Sequence, residues 1–419
     1  MLDEYLRSRS GRQDSSTTPI AIIDGGLATR LETLGQDLSG SLWSAALLKD
    51  ETLEGRPPRS RHEAPQGCAV IAQAHLDFLR AGAEVIGTCN YQTSLETFSR
   101  AGIADTEGRR LMLRAIDVAQ SARKVACSTR AGRTHVPRPL IALSLGPYGA
   151  SLSNGAEYTG CYPSPSDPSQ EIAFDQLVEF HRNRLEEIAF DHLVEFHRNR
   201  LEVFAASAQH WSLIDLIAFE TIPRLDEIRA IRSALSQVWQ RHKDEGSWSK
   251  KPCLFSCVFP EEGLRLPFPQ GRRSETLCEC RDILEASFSQ EKAGDWSGDA
   301  IGMNCTKPHL IPLLVDRFTQ AMKERRARRA AATQPEDKKH LFLYPDGGKV
   351  WDGQARQWRA WAQPTEAGFA NWAQQLLESA KSAIESGVWA GVWLGGCCNV
   401  GIDDIQALSL LVSREARSA

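Results

Sequence analysis

Three cysteines stand where a thiolate centre can form. Cys305 follows Asn304 at the end of one apolar run, and Cys397 and Cys398 are adjacent at the end of another, directly after Gly395 and Gly396. Soft thiolates select zinc among common metals, and three protein ligands leave a fourth tetrahedral position for water or substrate, the arrangement of a catalytic site. Successive strand side chains point to opposite faces, so Cys397 and Cys398 can share an ion only where the strand ends and the backbone turns. Gly395 and Gly396 are expected to supply that freedom. A buried cysteine is otherwise a small hydrophobe, which suits Cys68, Cys127, Cys161, Cys253, Cys257, Cys278 and Cys280. Cys89 also ends an apolar run, but a fourth thiolate would close the centre, so it is read as a rim or core residue.

Two carboxylates end apolar runs in the same way: Asp24, before Gly25 and Gly26, and Glu220, before Thr221. They can act as a general acid and base, hold the ammonium of an amino-acid substrate, or cap the dipole of a following helix. Gly347, Gly348 and Lys349 lack the spacing and the following Ser or Thr of a phosphate loop, and the histidines show no HExxH pattern.

These groups need a scaffold that brings strand ends together. Apolar, β-branched runs recur at 20–24, 83–90, 139–146, 214–221, 252–259, 300–305, 340–344 and 391–398. Helical periodicity lies between them at 69–81, 109–123, 225–239, 308–329, 366–386 and 402–413. Near-continuous apolar strands alternating with helices imply a parallel sheet buried on both faces, and eight such units close a single α/β barrel of the (β/α)8 type. The barrel is expected over 19–415, after a disordered N-terminal tail at 1–18. Loop insertions are expected at 55–67 and 260–275. Residues 171–186 (EIAFDQLVEFHRNRLE) are followed by a duplicate at 187–202, which differs only in having His192 for Gln176. A shift of 16 residues turns a helical stripe by about 160°. Only one copy of this duplicated helical segment can face the barrel, and it is expected to lie outside the chemistry.

Lys and Arg number 49 against 53 Asp and Glu, a net charge of −4, which excludes the electrostatic footprint of a nucleic-acid binder. The run at 387–398 is too short and glycine-rich for a membrane span. An odd count of 11 cysteines without an apolar leader suggests reduced thiols and a cytoplasmic location. The basic run at 323–329 reads as the solvated C-terminal end of a helix.

Taken together, the segments IIDGGLATRLETLG, LWSAALL, HLDFLRAGAEVIGTCNYQTS, LSLGPYGASLSNGAEYTG, LIAFETIPRLDEI, IGMNC and GGCCNVGIDDI resemble the zinc-dependent homocysteine S-methyltransferases, most closely the branch using S-methylmethionine. The resemblance implies that Cys305, Cys397 and Cys398 bind zinc, and that Asp24 and Glu220 hold the homocysteine amino group. It implies that the segment 146–160 is a donor-side loop. Gly25 and Asn304 join the expected substrate contacts, and Tyr91 and Tyr148 are suggested to face the sulfonium of the donor by cation–π contact. The implied reaction moves a methyl from S⁺ to a zinc-held thiolate, needing alignment rather than acid–base catalysis. Its small-molecule partners would be homocysteine and a sulfonium. S-adenosylmethionine or betaine as donor, selenocysteine as acceptor, and a non-catalytic zinc-holding protein stay open as alternatives.

Overall fold

The computed structural model describes residues 1–8, 19–50, 67–129, 137–162, 190–246, 248–260, 264–267, 280–289, 296–332, 337–352, 357–360 and 372–418, with backbone alone at 349–352 and 357–360. The strands are β1 (Ile20–Ile22), β2 (Val85–Gly87), β3 (Leu140–Leu145), β4 (Leu216–Ile222), β5 (Cys253–Cys257), β6 (Ala300–Asn304), β7 (Lys339–Tyr344), β8 (Lys349–Asp352), β9 (Gln357–Ala360) and β10 (Trp389–Leu394). Eight of them form one sheet in the order β1-β10-β7-β6-β5-β4-β3-β2. Every neighbouring pair is parallel, as in Ile20 beside Val392 and Asn304 beside Tyr344. A bridge from Ile23 to Val85, with Glu84 N donating to Ile22 O at 2.7 Å, joins β1 to β2 and closes the barrel. The architecture is a single (β/α)8 barrel. The short antiparallel pair β8–β9, set between β7 and the helix Trp372–Glu385, has no counterpart in the expected elements.

The strands read as unbroken apolar runs because both faces are covered. Ala21, Ile23, Val85, Ala142, Ala218, Leu254, Ala300, Phe342 and Trp393 pack together in one cluster. Their neighbours in sequence, such as Ile20, Ile22, Leu143, Ile217 and Leu341, join the larger core against the helices. Apolar burial of this kind contributes roughly 25 cal/mol per Å².

The expectation of a disordered tail at 1–18 is corrected at its start. Leu2–Ser8 is a helix whose Leu2, Tyr5 and Leu6 are buried with the inner-barrel residues, while 9–18 lie outside the described residues. Tyr5 stacks obliquely on Trp393, with ring centroids 5.8 Å apart, and Asp3 meets His340 at 3.1 Å. A helix this short is marginal alone; the apolar bottom of the barrel supplies the burial that holds it. Of the loops expected at 55–67 and 260–275, only 67, 260 and 264–267 lie within the described residues.

Of the duplicated segment, 171–189 lie outside the described residues, and the rest of the second copy starts the helix Phe190–Ala205. It buries Leu193, Phe196, His197, Arg200 and Leu201. The basic run lies near the C-terminal end of the helix Ile311–Ala331, yet Arg325 is only 2% exposed, because it turns inward to pair with Glu285.

Candidate active site

The C-terminal strand ends surround a cavity of about 520 Å³, within the usual range for small-molecule sites. Its lining includes Asp24, Gly25, Tyr91, Glu220, Asn304, Cys305, Cys397 and Cys398. The structure thus brings together every site residue expected from sequence except Tyr148. That ring is buried against Tyr162, His192 and Phe196 and does not line the cavity. The short helix Tyr148–Ser151 turns it toward the duplicated helix, and Tyr158 from the following loop lines the cavity.

The three sulfurs of Cys305, Cys397 and Cys398 lie within 4.8 Å of one another. Cys305 and Cys397 Sγ are in direct contact, with Cα atoms 5.6 Å apart, and Cys397 Sγ is 3.9 Å from Cys398 Sγ. Tetrahedral zinc with bonds of about 2.3 Å sets sulfurs about 3.8 Å apart, the spacing of the Cys397–Cys398 pair, and three thiols gathered this closely are a donor set suited to a thiolate-bound zinc ion. Burial, and then the charge of Asp346, push the Cys398 thiol up to about 11.

Local backbone geometry aims these sulfurs. Cys305 takes a left-handed φ of +49° just past β6, and Thr221 a φ of +60° near the end of β4, where the register to β5 shifts. Such values are costly for side-chain-bearing residues, most of all a β-branched one. Asn304 holds both turns. Its Oδ1 accepts from Thr221 N and from the Ser256 hydroxyl, each at 2.8 Å, while its Nδ2 donates to Thr221 Oγ1 at 2.7 Å and reaches Cys305 Sγ at 3.5 Å. The other pair is pinned by backbone bonds: Cys397 N donates to Pro345 O, and Gly347 N donates to Cys398 O. Gly395 and Gly396 do not act through unusual dihedrals, since neither has a positive φ; Asn399 does, at +63°. They are needed for close approach, because a Cβ on Gly395 would meet Ile23 and one on Gly396 would meet Val400. Gly25 is constrained alike, with a would-be Cβ 2.7 Å from Val400 O.

Asp24 and Glu220 form a second feature. Asp24 Oδ2 accepts from Gly87 N at 2.8 Å, and Glu220 Oε2 accepts from the Ser144 hydroxyl at 3.1 Å. Burial pushes Asp24 up to about 7; burial and the neighbouring Asp24 charge push Glu220 up to about 8. Two carboxylates so placed are matched to a positively charged ligand group, which would restore both to the ionised form.

Several contributors carry no motif of their own. Glu227, fully buried, accepts from Tyr148 N at 2.6 Å and from the Tyr162 hydroxyl, and its Oε1 lies 3.0 Å from His197 Nε2. Arg224 Nη1 donates to Gly160 O at 3.1 Å, so Glu227 and Arg224 together tether the loop over the cavity. Arg200 donates to Gly146 O at 2.7 Å, and to Asn90 O and Tyr91 O at 3.1 Å. The duplicated helix therefore supports the rim instead of lying outside the chemistry. The marker visible in sequence is the arginine within its apolar stripe.

Among the described residues no helix is long and apolar enough to cross a membrane. A family profile described as homocysteine S-methyltransferase matches residues 21–412. The chain is 29% identical to homocysteine S-methyltransferase YbgG of Bacillus subtilis, with 94% of each covered. It is 30% identical to a selenocysteine Se-methyltransferase of Brassica oleracea, over 94% of this chain and 90% of that one. The metallated form of homocysteine methyltransferase MmuM from Escherichia coli shares the fold at a TM-score of 0.58 and 22% identity, covering 94% of this chain and 96% of that one.

Proposed function

The chain belongs to the homocysteine S-methyltransferase family, and from that premise we propose that it moves a methyl group from S-methylmethionine to homocysteine. Residues 19–415 would act as one homocysteine-binding barrel, with Cys305, Cys397 and Cys398 holding zinc. The observation that carries this reading is the meeting of three thiols and two buried carboxylates in one cavity. The thiols suit a soft metal, and the carboxylates suit the ammonium of an amino acid. Zinc held by these three thiols would supply the positive charge that ionises an acceptor thiol whose free pKa is about 8.5.

The chain's own residues then have plain tasks. Asp24 and Glu220 receive the homocysteine ammonium and orient the acceptor. Asn304 holds Cys305 in place. Tyr91 and Tyr158 line the side from which a cationic donor would enter. A thiolate lone pair forms the new bond to the methyl carbon, and the electrons of the broken carbon–sulfonium bond return to the donor sulfur. Each partner leaves as methionine. A sulfonium is already activated, so alignment within a dry cavity does most of the work.

Small molecules are the partners of this reaction, with no role for nucleic acid, and a reducing cytoplasm suits unpaired thiols. The test is zinc content and methionine formation by the purified, reduced protein supplied with S-methylmethionine and homocysteine. One zinc per chain and product formation are expected, both abolished in Cys397→Ser. Turnover that persists in the zinc-free variant sinks the reading. Parallel assays with S-adenosylmethionine, betaine and selenocysteine rank the alternatives.

A further inference from the structure

Glu157 is a buried carboxylate with one oxygen left unsatisfied among the described residues. It is 8% exposed and lines the cavity, and its Oε2 has no hydrogen-bond partner among the described residues. Burial pushes its pKa up to about 7, opposed only by its own backbone amide, and no basic side chain offsets the effect. The buried Oε1 of Gln92, on the same cavity wall, is likewise without a donor. An acceptor buried in this state costs about 1–3 kcal/mol, and more when charged, unless a ligand satisfies it.

The surrounding loop prevents Glu157 from withdrawing. Its turn, Ala156–Thr159, is bracketed by Gly155 and Gly160 at φ of +79° and +67°. Asn154 Oδ1 accepts from Ala156 N, and Arg224 fixes Gly160 O. The turn rests on Gly149, where an added Cβ would stand 2.6 Å from Glu157 N. Tyr91 and Tyr158 both feel the Glu157 charge, and Tyr158 lines the cavity beside Cys398. The carboxylate thus stands one residue from the group beside the thiol cluster, apart from the Asp24 and Glu220 pair that is matched to one ammonium.

We propose that Glu157, flanked by Tyr91 and Tyr158, is the counter-charge that receives the sulfonium of the methyl donor and makes the enzyme prefer a cationic donor over a neutral thioether. This rests on the methyl-transfer reading above. A carboxylate beside aromatic rings attracts a cation by charge and cation–π contact even where, as in a sulfonium, the cation has no hydrogen to donate. The positive charge disappears when the methyl leaves, so the same carboxylate that attracts the donor loses its hold on the product.

The test is equilibrium binding of S-methylmethionine and of methionine to zinc-loaded wild type and Glu157→Gln, with steady-state KM values alongside. The wild type is expected to bind the sulfonium at least tenfold more tightly than methionine. Glu157→Gln is expected to bind the two equally, with donor KM raised at least tenfold and homocysteine KM and zinc content unchanged. A variant that keeps the preference, or one that raises both KM values together, overturns the proposal. Should Glu157→Gln not fold, Glu157→Asp keeps the charge and must keep the preference; its loss there also overturns the proposal. A wild type that shows the preference but makes no methionine from homocysteine defeats the methyl-transfer reading alone.

Discussion

Asn304 Nδ2 lies 3.5 Å from Cys305 Sγ while the same side chain accepts from Thr221 N, so one amide holds a thiol and a strained turn together. Partners that orient metal ligands typically matter 10- to 100-fold in metal affinity. Asn304→Asp replaces the donor facing Cys305 with a carboxylate oxygen. Zinc affinity, measured by competition with a chromogenic chelator, is expected to fall by about that factor. Unchanged affinity would reduce Asn304 to a packing residue.

The Asp24 and Glu220 pair predicts a pH dependence of acceptor binding. Both carboxyls are raised, to about 7 and about 8, so each is largely protonated below its value and ionised above it. Their ammonium ligand needs the ionised forms, so homocysteine KM should fall by about tenfold or more between pH 6 and pH 8. Glu220→Gln should raise KM and flatten that profile. A wild-type profile without slope in this window contradicts the assignment.

His75 predicts acid sensitivity of the fold. It is fully buried, neither ring nitrogen has a partner among the described residues, and burial lowers its pKa to about 4 from an ordinary 6.5. As pH falls below about 6.5 the unfolded chain takes up a proton that the folded chain refuses, so stability is complete above that value and is lost progressively toward pH 4. The cost reaches about 2 kcal/mol between pH 7 and pH 5. His75→Leu should remove that share of the loss, read as urea midpoints at the two pH values.

Arg200 predicts a link between the outer helix and the rim. Its guanidinium serves three carbonyls with a fork geometry that a lysine cannot reproduce. Arg200→Lys is expected to cost about 2 kcal/mol or more in chemical denaturation and to raise KM for both substrates, because the segments of Tyr91 and Gly146 lose their common support. A stable variant with unaltered KM values would detach the helix from the site.

The barrel strands were legible because a parallel sheet covered on both faces writes itself as apolar runs, and each expected run overlaps an observed strand. The thiol cluster was legible because strand ends in such a fold share one rim. The helix Leu2–Ser8 was not, because its three buried side chains acquire meaning only against Trp393 and His340, far along the chain. Tyr148 was misplaced for a related reason. Its motif is visible in sequence, but the turn that points it at Phe196 instead of the cavity is set by Glu227, and that contact spans 79 positions. Glu157 carries no signal in the sequence, because an acid in a polar loop looks solvated and only the fold makes it 8% exposed.

The seam between β1 and β10 has a consequence for biosynthesis. Ribosomes make Ile20–Ile22 near the beginning, yet their partners Val392–Leu394 emerge close to the end. Cys397 and Cys398 follow immediately. Until residue 305 the nascent polypeptide therefore carries none of the three sulfurs, and from there to residue 396 it carries only Cys305, so it cannot assemble the cluster. Capture of a metal by all three sulfurs would wait until the cylinder has sealed, so a loaded ion would mark a closed barrel.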